Sequence, residues 1–262
     1  MAVSAKSPSS DAVEPVVAAP ARRRLMLVLW LLGLPGVLAL LYHELPHWMR
    51  LLHWRMAPDL SFVWMFVPMA LLLWLPVWLG VRLGPQVGLS APVLAAWAER
   101  RSPRRALRYL GLPGVAGGIV GAAWMVTLAV VWPDRLSQVD PVYAMPLWAK
   151  VWYGGVTEEI IMRFGSLTLV MWLLRRLQGR EERGLAWPLA WCAIVLNAVL
   201  WVSIHQGLEV WSAQGVPNAG LIQILLCELV YGVMAGALFR CCGLEAAMCA
   251  HAIAYAFSHG LV

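Results

Sequence analysis

Long apolar stretches alternate with short polar ones along almost the entire chain. Seven of the apolar stretches have about the length that a helix needs to cross a bilayer, which is roughly 20 residues. They cover residues 25–42, 61–83, 111–132, 147–174, 187–204, 219–239 and 244–262. This pattern predicts an all-α fold, a polytopic membrane helix bundle with about seven transmembrane helices.

Two segments depart from the alternation and define the expected organisation. Residues 84–110 mix apolar side chains with five arginines, which predicts a cytoplasmic interfacial helix or, alternatively, part of an eighth span. Residues 1–21 are rich in Ala, Ser, Pro and Val and precede three arginines. We therefore expect a disordered cytoplasmic tail at 1–24, N-terminal membrane helices with the interfacial helix at 25–110, and a helix bundle at 111–262.

Composition supports a membrane protein and argues against nucleic acid as a partner. The 262 residues are 61% hydrophobic and only 13% charged, far from the values of a soluble globular domain. Sixteen tryptophans suit a protein surrounded by a lipid bilayer, because indole rings favour the headgroup boundary. The net charge of +6 comes from arginines between apolar runs, which membrane topology explains better than a phosphate-binding surface does.

The basic residues also predict the orientation in the membrane. With the N-terminus inside, fifteen of the 20 lysines and arginines fall on inner segments and four on outer ones. Cytoplasmic loops carry an excess of Lys and Arg, so we expect a multi-pass protein of the cell membrane with a cytoplasmic N-terminus. The one remaining basic residue, Arg163, lies inside the fourth span.

Three ionisable residues lie in the middle of the fourth span, where each is costly unless it faces a cavity or a partner. Glu159 and Arg163 are four residues apart, the spacing of an ion pair on an α-helix. Glu158 points roughly 140° away from Arg163 on such a helix and lacks that partner. A purely structural ion pair explains Glu159 and Arg163 but leaves Glu158 unexplained, which indicates a functional site.

Two histidines of later spans could meet Glu158. His205 lies near the end of the fifth span and His251 within the last one. Together with an unpaired carboxylate they form a constellation suited to general acid–base chemistry. Residues that share their helical faces at spacings of four are Asn197, Trp201, Tyr255 and His259.

Regular spans place these two histidines at different depths in the membrane. His205 lies roughly 27 Å along its helix from Trp187 at about 1.5 Å per residue, whereas His251 follows Leu244 by only seven residues. Either the fifth helix starts later and runs on toward Trp211, or the last inner turn dips into the membrane.

Three motifs around these residues are similar to those of the CPBP family of CAAX prenyl proteases and bacteriocin-processing enzymes. "TEEIIMR" matches the family's EExxxR motif. "WVSIH" resembles FxxxH with Trp201 for phenylalanine, and "HAIAY" resembles HxxxN with Tyr255 for asparagine. The motifs occur in the family's order between residues 145 and 258, approximately.

This resemblance implies an intramembrane endopeptidase that acts on a membrane-associated peptide or protein. By the family's pattern, Glu158 and His205 activate a water, and His251 stabilises the oxyanion. The hydroxyl of Tyr255 can donate a hydrogen bond in place of the asparagine. The alternative is a non-catalytic relative, such as a bacteriocin immunity protein or a peptide-binding partner.

Neither a cofactor nor a metal is expected from the motifs. Nucleotide, haem and flavin signatures do not occur. A divalent ion could be held by Glu158, His205 and His251, but water activation needs no metal if the carboxylate is basic enough. For Glu228, a further intramembrane acid, three roles stay open: lining a polar cavity, pairing with a histidine, or catalysis.

A zinc-protease pattern near the N-terminus has to be weighed separately. "HELPH" at 43–47 matches HExxH, which binds zinc through two histidines one helical turn apart. Pro46 lacks an N–H and its ring clashes with the preceding turn, so an undistorted helix through His43 and His47 is disfavoured. We therefore do not expect zinc at this segment.

Small-residue patterns predict close helix packing at three places. They are Gly114xxxGly118, Gly117xxxGly121 and Gly232xxxGly236. Small residues at this spacing let helix backbones approach each other closely within a membrane. We interpret them as packing contacts, and no functional site follows from them alone.

Overall fold

The computed structural model describes residues 19–132, 141–179, 185–212 and 218–261. Nearly all of these residues are helical and none forms a strand, which confirms the all-α fold. The helices are α1 (Ala19–Leu51), α2 (Pro58–Leu83), α3 (Pro92–Ala98), α4 (Arg104–Val131), α5 (Pro141–Ala144), α6 (Leu147–Trp152), α7 (Thr168–Gln178), α8 (Trp187–Ser212), α9 (Asn218–Cys242) and α10 (Leu244–Ser258). A π-helical segment, Tyr153–Leu167, joins α6 to α7.

Five helices are long and apolar enough to cross a membrane: α1, α2, α4 and most of α8 and α9. Their outer faces expose large apolar side chains such as Leu71, Leu112 and Val130, as expected where lipid covers the surface. The chain is thus a multi-pass membrane protein. The two other predicted spans, 147–174 and 244–262, correspond to the helices that hold Glu158, Glu159 and His251. They are not among these five helices, so the total of seven spans stays a prediction.

The N-terminal third differs from the sequence-based expectation at two places. Helix α1 begins at Ala19 and buries Ala21, so the predicted disorder of residues 19–24 is wrong, while residues 1–18 lie outside the described part. The expected interfacial helix is broken into a short turn at Gly84–Gln86 and the seven-residue α3. Arg100 ends α3 with a positive φ of 60°, and α4 starts at Arg104. An eighth span is therefore excluded here.

The π-helical segment lies at the centre of the bundle and contacts α1, α2, α8 and α10. Its side chains are buried on almost every side, including Ile160 and Phe164. Hydrogen bonds also join this segment to two of the helices around it. Thr157 Oγ1 donates to the Gly33 carbonyl of α1 at 2.7 Å, and Asn197 Nδ2 of α8 donates to the Met162 carbonyl at 3.1 Å. Such i→i+5 turns are rare and often mark functional sites.

The small-residue patterns are confirmed as close contacts between helices. A Cβ atom at Gly118 of α4 would lie 2.5 Å from Ile253 Cβ of α10, and one at Gly114 would lie 3.1 Å from Cys249 Cβ. On α9, Gly232 and Gly236 face α8 in the same manner. These contacts hold α4 and α8 close to the two helices that carry the later polar residues.

The difference in depth between the two histidines is resolved by helix lengths. Helix α8 starts at Trp187 as predicted but runs on to Ser212, so His205 is far from its end. Helix α10 has only 15 residues and begins directly after Gly243, whose φ is 98°. A sharp turn between α9 and α10 thus places His251 deep in the bundle.

We expect Gly36→Ala to destabilise the protein because α1 meets the π-helical segment at this glycine. A Cβ atom there would overlap Thr157 Oγ1 and lie 2.5 Å from the Trp152 carbonyl oxygen. Overpacking of this kind typically costs about 1–3 kcal/mol. The measurement is the melting temperature in detergent.

The matched control for this prediction is Gly111→Ala. A Cβ at Gly111 would meet no atom within 4 Å, and alanine is favoured over glycine inside a helix by about 0.5–1 kcal/mol. Its melting temperature should equal or exceed that of the wild type. Equal melting temperatures for Gly36→Ala and the wild type would show that α1 can move away from Thr157.

Candidate active site

A cavity lies among the π-helical segment, α8, α9 and α10. Helices α4 and α5 contribute Met125 and Tyr143 to its wall. The polar and charged residues of the wall are Tyr143, Glu158, Arg163, Trp201, His205, Glu228, Tyr231, His251 and Tyr255. The structure therefore brings to one cavity five of the six candidate catalytic residues of the three motifs, namely Glu158, Arg163, His205, His251 and Tyr255. The sixth, Glu159, lies behind it.

Glu158 is buried and lines the cavity from the π-helical segment. Its carboxylate lies within electrostatic range of His205 and His251. Among the described residues, none forms a hydrogen bond with this carboxylate. Its oxygens are thus available to accept a proton from a molecule in the cavity.

Glu159 is completely buried and holds two groups at once. Its Oε1 is 2.8 Å from Nδ1 of His251, and its Oε2 is 3.5 Å from Nε of Arg163. The predicted ion pair with Arg163 is therefore present, and it is extended to the histidine of α10. A carboxylate at Nδ1 requires a proton on that nitrogen, so Nε2 of His251 is left for contacts in the cavity.

The approach of α10 to the π-helical segment depends on two adjacent glycines. A Cβ at Gly154 would overlap the ring of Tyr255, and one at Gly155 would lie 3.4 Å from the Ala252 backbone. The His251 ring is then packed between two tyrosines, with centroids 4.5 Å from Tyr231 and 4.7 Å from Tyr255. Packing and the Glu159 hydrogen bond together fix the orientation of this imidazole.

His205 is oriented by a carboxylate in the same way as His251. Its Nδ1 is 2.7 Å from Oε1 of Glu228, which lies on α9. The ring also packs edge-to-face against Trp201 one turn earlier, with centroids 6.1 Å apart. Of the roles left open for Glu228, the structure assigns two together: it lines the cavity and it pairs with a histidine.

The expectation that Glu158 and Arg163 point in different directions is wrong because this segment is not an α-helix. In a segment with i→i+5 bonds, residues that are five apart follow each other by about one turn. Glu158 and Arg163 therefore lie on nearly the same side, instead of roughly 140° apart as on an α-helix. Both consequently line the cavity, while Glu159 remains four residues before Arg163 and paired with it.

Tyr255 lies in the wall of the cavity, within an aromatic cluster. Its ring meets that of Tyr143 edge-to-face at 6.0 Å. The ammonium of Lys150, a fully buried lysine, lies 5.9 Å from the centroids of both tyrosine rings. A cation at this distance is attracted to the ring faces, which stabilises the position of Tyr255 beside His251.

Other residues singled out from the sequence lie outside the cavity. The side chain of Asn197 bridges α8 to the π-helical segment by accepting from Ser166 Oγ at 2.6 Å and donating to Met162. His259 is exposed at the end of α10. Neither residue contacts the cavity, so neither is placed to act on a molecule within it.

The HELPH segment also lies away from the cavity, on α1. Helix α1 continues through Pro46 to Leu51, so this segment is helical despite the proline. Proline is tolerated in membrane helices because neighbouring groups and small local adjustments satisfy the freed carbonyl. The His43 ring packs against Trp148, with centroids 5.7 Å apart.

Within the described part of the chain, no three His, Cys, Asp or Glu side chains are arranged to hold a metal ion. The histidines of the cavity instead direct their Nδ1 atoms to separate carboxylates, Glu159 and Glu228. The arrangement is suited to proton transfer and hydrogen bonding.

Tyr231 is a residue of the site that none of the three motifs contains, and the motifs do not indicate the partner of Glu228. A signal was present, because Glu228, Tyr231 and Gly232 recur at helical spacings of three and four on α9. That spacing indicates one face of a helix. It does not by itself indicate which helix the face meets.

The comparison with known proteins finds a match in the part of the chain that forms the cavity. Residues 141–257 match a family model described as type II CAAX prenyl endopeptidase, Rce1-like. This segment contains every residue of the candidate site except Met125, and the match confirms the resemblance to the CPBP family. No curated protein and no solved structure gives a significant match.

We expect Glu159→Gln to lower the melting temperature, because it leaves the buried Arg163 cation without its partner. Removal of one member of a buried ion pair typically costs about 3–5 kcal/mol. The matched control is Glu158→Gln, which is on the same segment and equally buried but breaks no ion pair or hydrogen bond among the described residues. Similar melting temperatures for the two variants would contradict a structural role of Glu159.

Proposed function

We propose that this chain, whose residues 141–257 match the type II CAAX prenyl endopeptidases, is an intramembrane endopeptidase that hydrolyses a peptide bond of a membrane-associated protein or peptide. One observation carries the proposal. A buried carboxylate with no hydrogen bond from the described residues, Glu158, shares a cavity with two histidines, and each of these is oriented by its own carboxylate. A base, two histidines with the carboxylates that orient them, and space for a reacting bond are thus present at one cavity.

The first step is the activation of water. Glu158 takes a proton from a water molecule, and the oxygen of that water attacks the carbonyl carbon of the scissile bond. His205 carries its proton on Nδ1, toward Glu228, so that Nε2 can accept a hydrogen bond from the same water. The Glu228–His205 pair therefore positions the nucleophile, and Glu158 removes its proton.

The second step is stabilisation and collapse of the tetrahedral intermediate. The carbonyl electron pair moves onto the oxygen, and His251 donates a hydrogen bond to this oxyanion from Nε2. Glu159 holds the opposite nitrogen of the ring, so the imidazole can carry both protons. When the C–N bond breaks, the proton on Glu158 passes to the departing amine, and a new carboxylate is formed.

The surroundings of the cavity favour a substrate that is itself in the membrane. The site is enclosed by helices whose outer faces are apolar, and α8 and α9, two of its walls, are long enough to span a bilayer. Among a CAAX tail, a bacteriocin leader and a sorting tail, the family match favours the CAAX tail. We further expect the N-terminus to lie in the cytoplasm, from the excess of basic residues on the predicted inner segments.

A non-catalytic peptide-binding role is the alternative. The main argument for it is that Tyr255 stands where the family motif has an asparagine. The presence of a hydroxyl beside His251 reduces the weight of that argument, since a hydroxyl donates a hydrogen bond as an amide does. Two experiments separate the alternatives.

We expect Glu158→Gln to abolish turnover, with a loss of at least about a hundredfold, because the amide cannot accept the proton of the water. The assay uses the full-length protein in detergent with a fluorogenic peptide that ends in a farnesylated CAAX sequence, and mass spectrometry locates the cleaved bond. The control is Glu44→Gln, a buried glutamate of α1 away from the cavity, which should keep wild-type turnover. Retained turnover in Glu158→Gln, or none in the wild type, would contradict the mechanism.

We expect Tyr255→Phe to slow turnover by about ten- to a thousandfold if its hydroxyl replaces the family's asparagine as a donor to the oxyanion. The ring and its packing on Gly154 are kept, and the melting temperature is measured alongside turnover to separate a loss of stability from a loss of catalysis. Tyr42→Phe on α1, where the tyrosine is exposed, controls for the loss of a hydroxyl. Unchanged turnover in Tyr255→Phe would show that this hydroxyl takes no part in the reaction.

A further inference from the structure

Two hydrogen-bond donors of the cavity wall have no partner among the described residues. They are the indole Nε1–H of Trp201 on α8 and the hydroxyl of Tyr231 on α9. Both atoms are buried, and the Tyr231 side chain is buried almost completely, with 4% exposure. A buried donor left without an acceptor costs about 1–3 kcal/mol, so two of them at one cavity require an explanation.

Two other indole donors of the bundle are paired. The indole of Trp30 donates to the Ala70 carbonyl at 2.7 Å, and that of Trp124 donates to the Leu226 carbonyl at 3.2 Å. Some buried polar atoms outside the cavity also lack a partner, the Ser61 hydroxyl among them. Trp201 and Tyr231 differ from these because both lie in the wall of the cavity, each beside one of its histidines.

The two donors belong to the rings that pack against the two histidines. Trp201 packs on His205, and Tyr231 packs on His251 at a centroid distance of 4.5 Å. We infer that Trp201 and Tyr231 bind the backbone carbonyl oxygens of the substrate peptide and so hold the scissile bond between the two histidines. The inference rests on the proposed function in taking the ligand to be a peptide.

Backbone carbonyls are the acceptors that fit these donors best. Each peptide unit offers an oxygen with two lone pairs and no charge, which suits neutral N–H and O–H donors in an apolar environment. Such contacts recognise an extended chain independently of its side chains. The phenylalanine of the family motif has no N–H to make this contact, whereas Trp201 at that position supplies one.

The test compares Trp201→Phe and Tyr231→Phe in a full-length Glu158→Gln background, where a bound peptide is not cleaved. Tyr231→Phe removes only the donor, whereas Trp201→Phe removes the donor together with part of the indole ring, which the Trp201 control has to match. The probe is the farnesylated CAAX peptide, whose Kd is measured in detergent together with the rise in melting temperature that it causes. Trp191→Phe and Tyr109→Phe, which alter exposed rings of α8 and α4, are the matched controls.

We expect each donor variant to raise the Kd by about three- to tenfold, as the loss of one neutral hydrogen bond does, and the controls to leave it unchanged. Without peptide, Tyr231→Phe should melt at or above the temperature of the parent, because no internal bond is lost. Trp201→Phe also loses ring packing, so its readout is the Kd compared with that of Trp191→Phe. An unchanged Kd in either donor variant, or a lower melting temperature of Tyr231→Phe without peptide, would overturn the inference by showing that the donors have no role in binding or a structural one.

The same experiment separates this inference from the proposed function. If the wild type cleaves the peptide while both donor variants bind it as the parent does, hydrolysis stands and the inference fails. If the wild type does not cleave the peptide but its binding depends on both donors, the inference stands and the proposed hydrolysis fails. If the parent does not bind the peptide at all, both are overturned for this substrate class.

Discussion

The centre of this protein depends on the two interactions that the Glu159 carboxylate makes, one with Arg163 and one with His251. This carboxylate is completely buried and connects Arg163 of its own helix to His251 of α10. Each of these groups alone would be very unfavourable in the interior of a membrane protein. Because one carboxylate holds both, the position of α10 relative to the π-helical segment is fixed by the same contact that makes their burial tolerable.

The π-helical geometry explains how two adjacent glutamates come to have different surroundings. Glu159 is directed toward the interior, where Arg163 and His251 hold it, whereas Glu158 is directed into the cavity. The wide turn also brings Arg163 round to the cavity wall. In a regular α-helix, one of these three groups would face an apolar neighbour without compensation. Turns with i→i+5 bonds are rare and occur frequently at functional sites.

The two histidines are held by the same device on opposite sides of the cavity. Glu159 and Glu228 each bond an Nδ1 atom, from the π-helical segment and from α9. Four helical segments thus contribute to a single polar centre within an apolar bundle. The paired groups of this site are constrained in position, because none of them can leave its partner without an uncompensated charge remaining in a low-dielectric interior.

Sequence alone determined the helical membrane fold, the segments that form it, and the residues of the site that stand out chemically. Glu158, Glu159, His205 and His251 could be found because ionisable groups are rare in apolar helices, and Glu159 could be paired with Arg163 by spacing on one helix. What only the tertiary structure decided is which helices meet. The pairing of His205 with Glu228, the cavity position of Tyr231 and the bond from Glu159 to His251 all join residues of different helices. No periodicity along one chain segment specifies such contacts, and the direction of Arg163 was missed because helical pitch is set by packing around the segment.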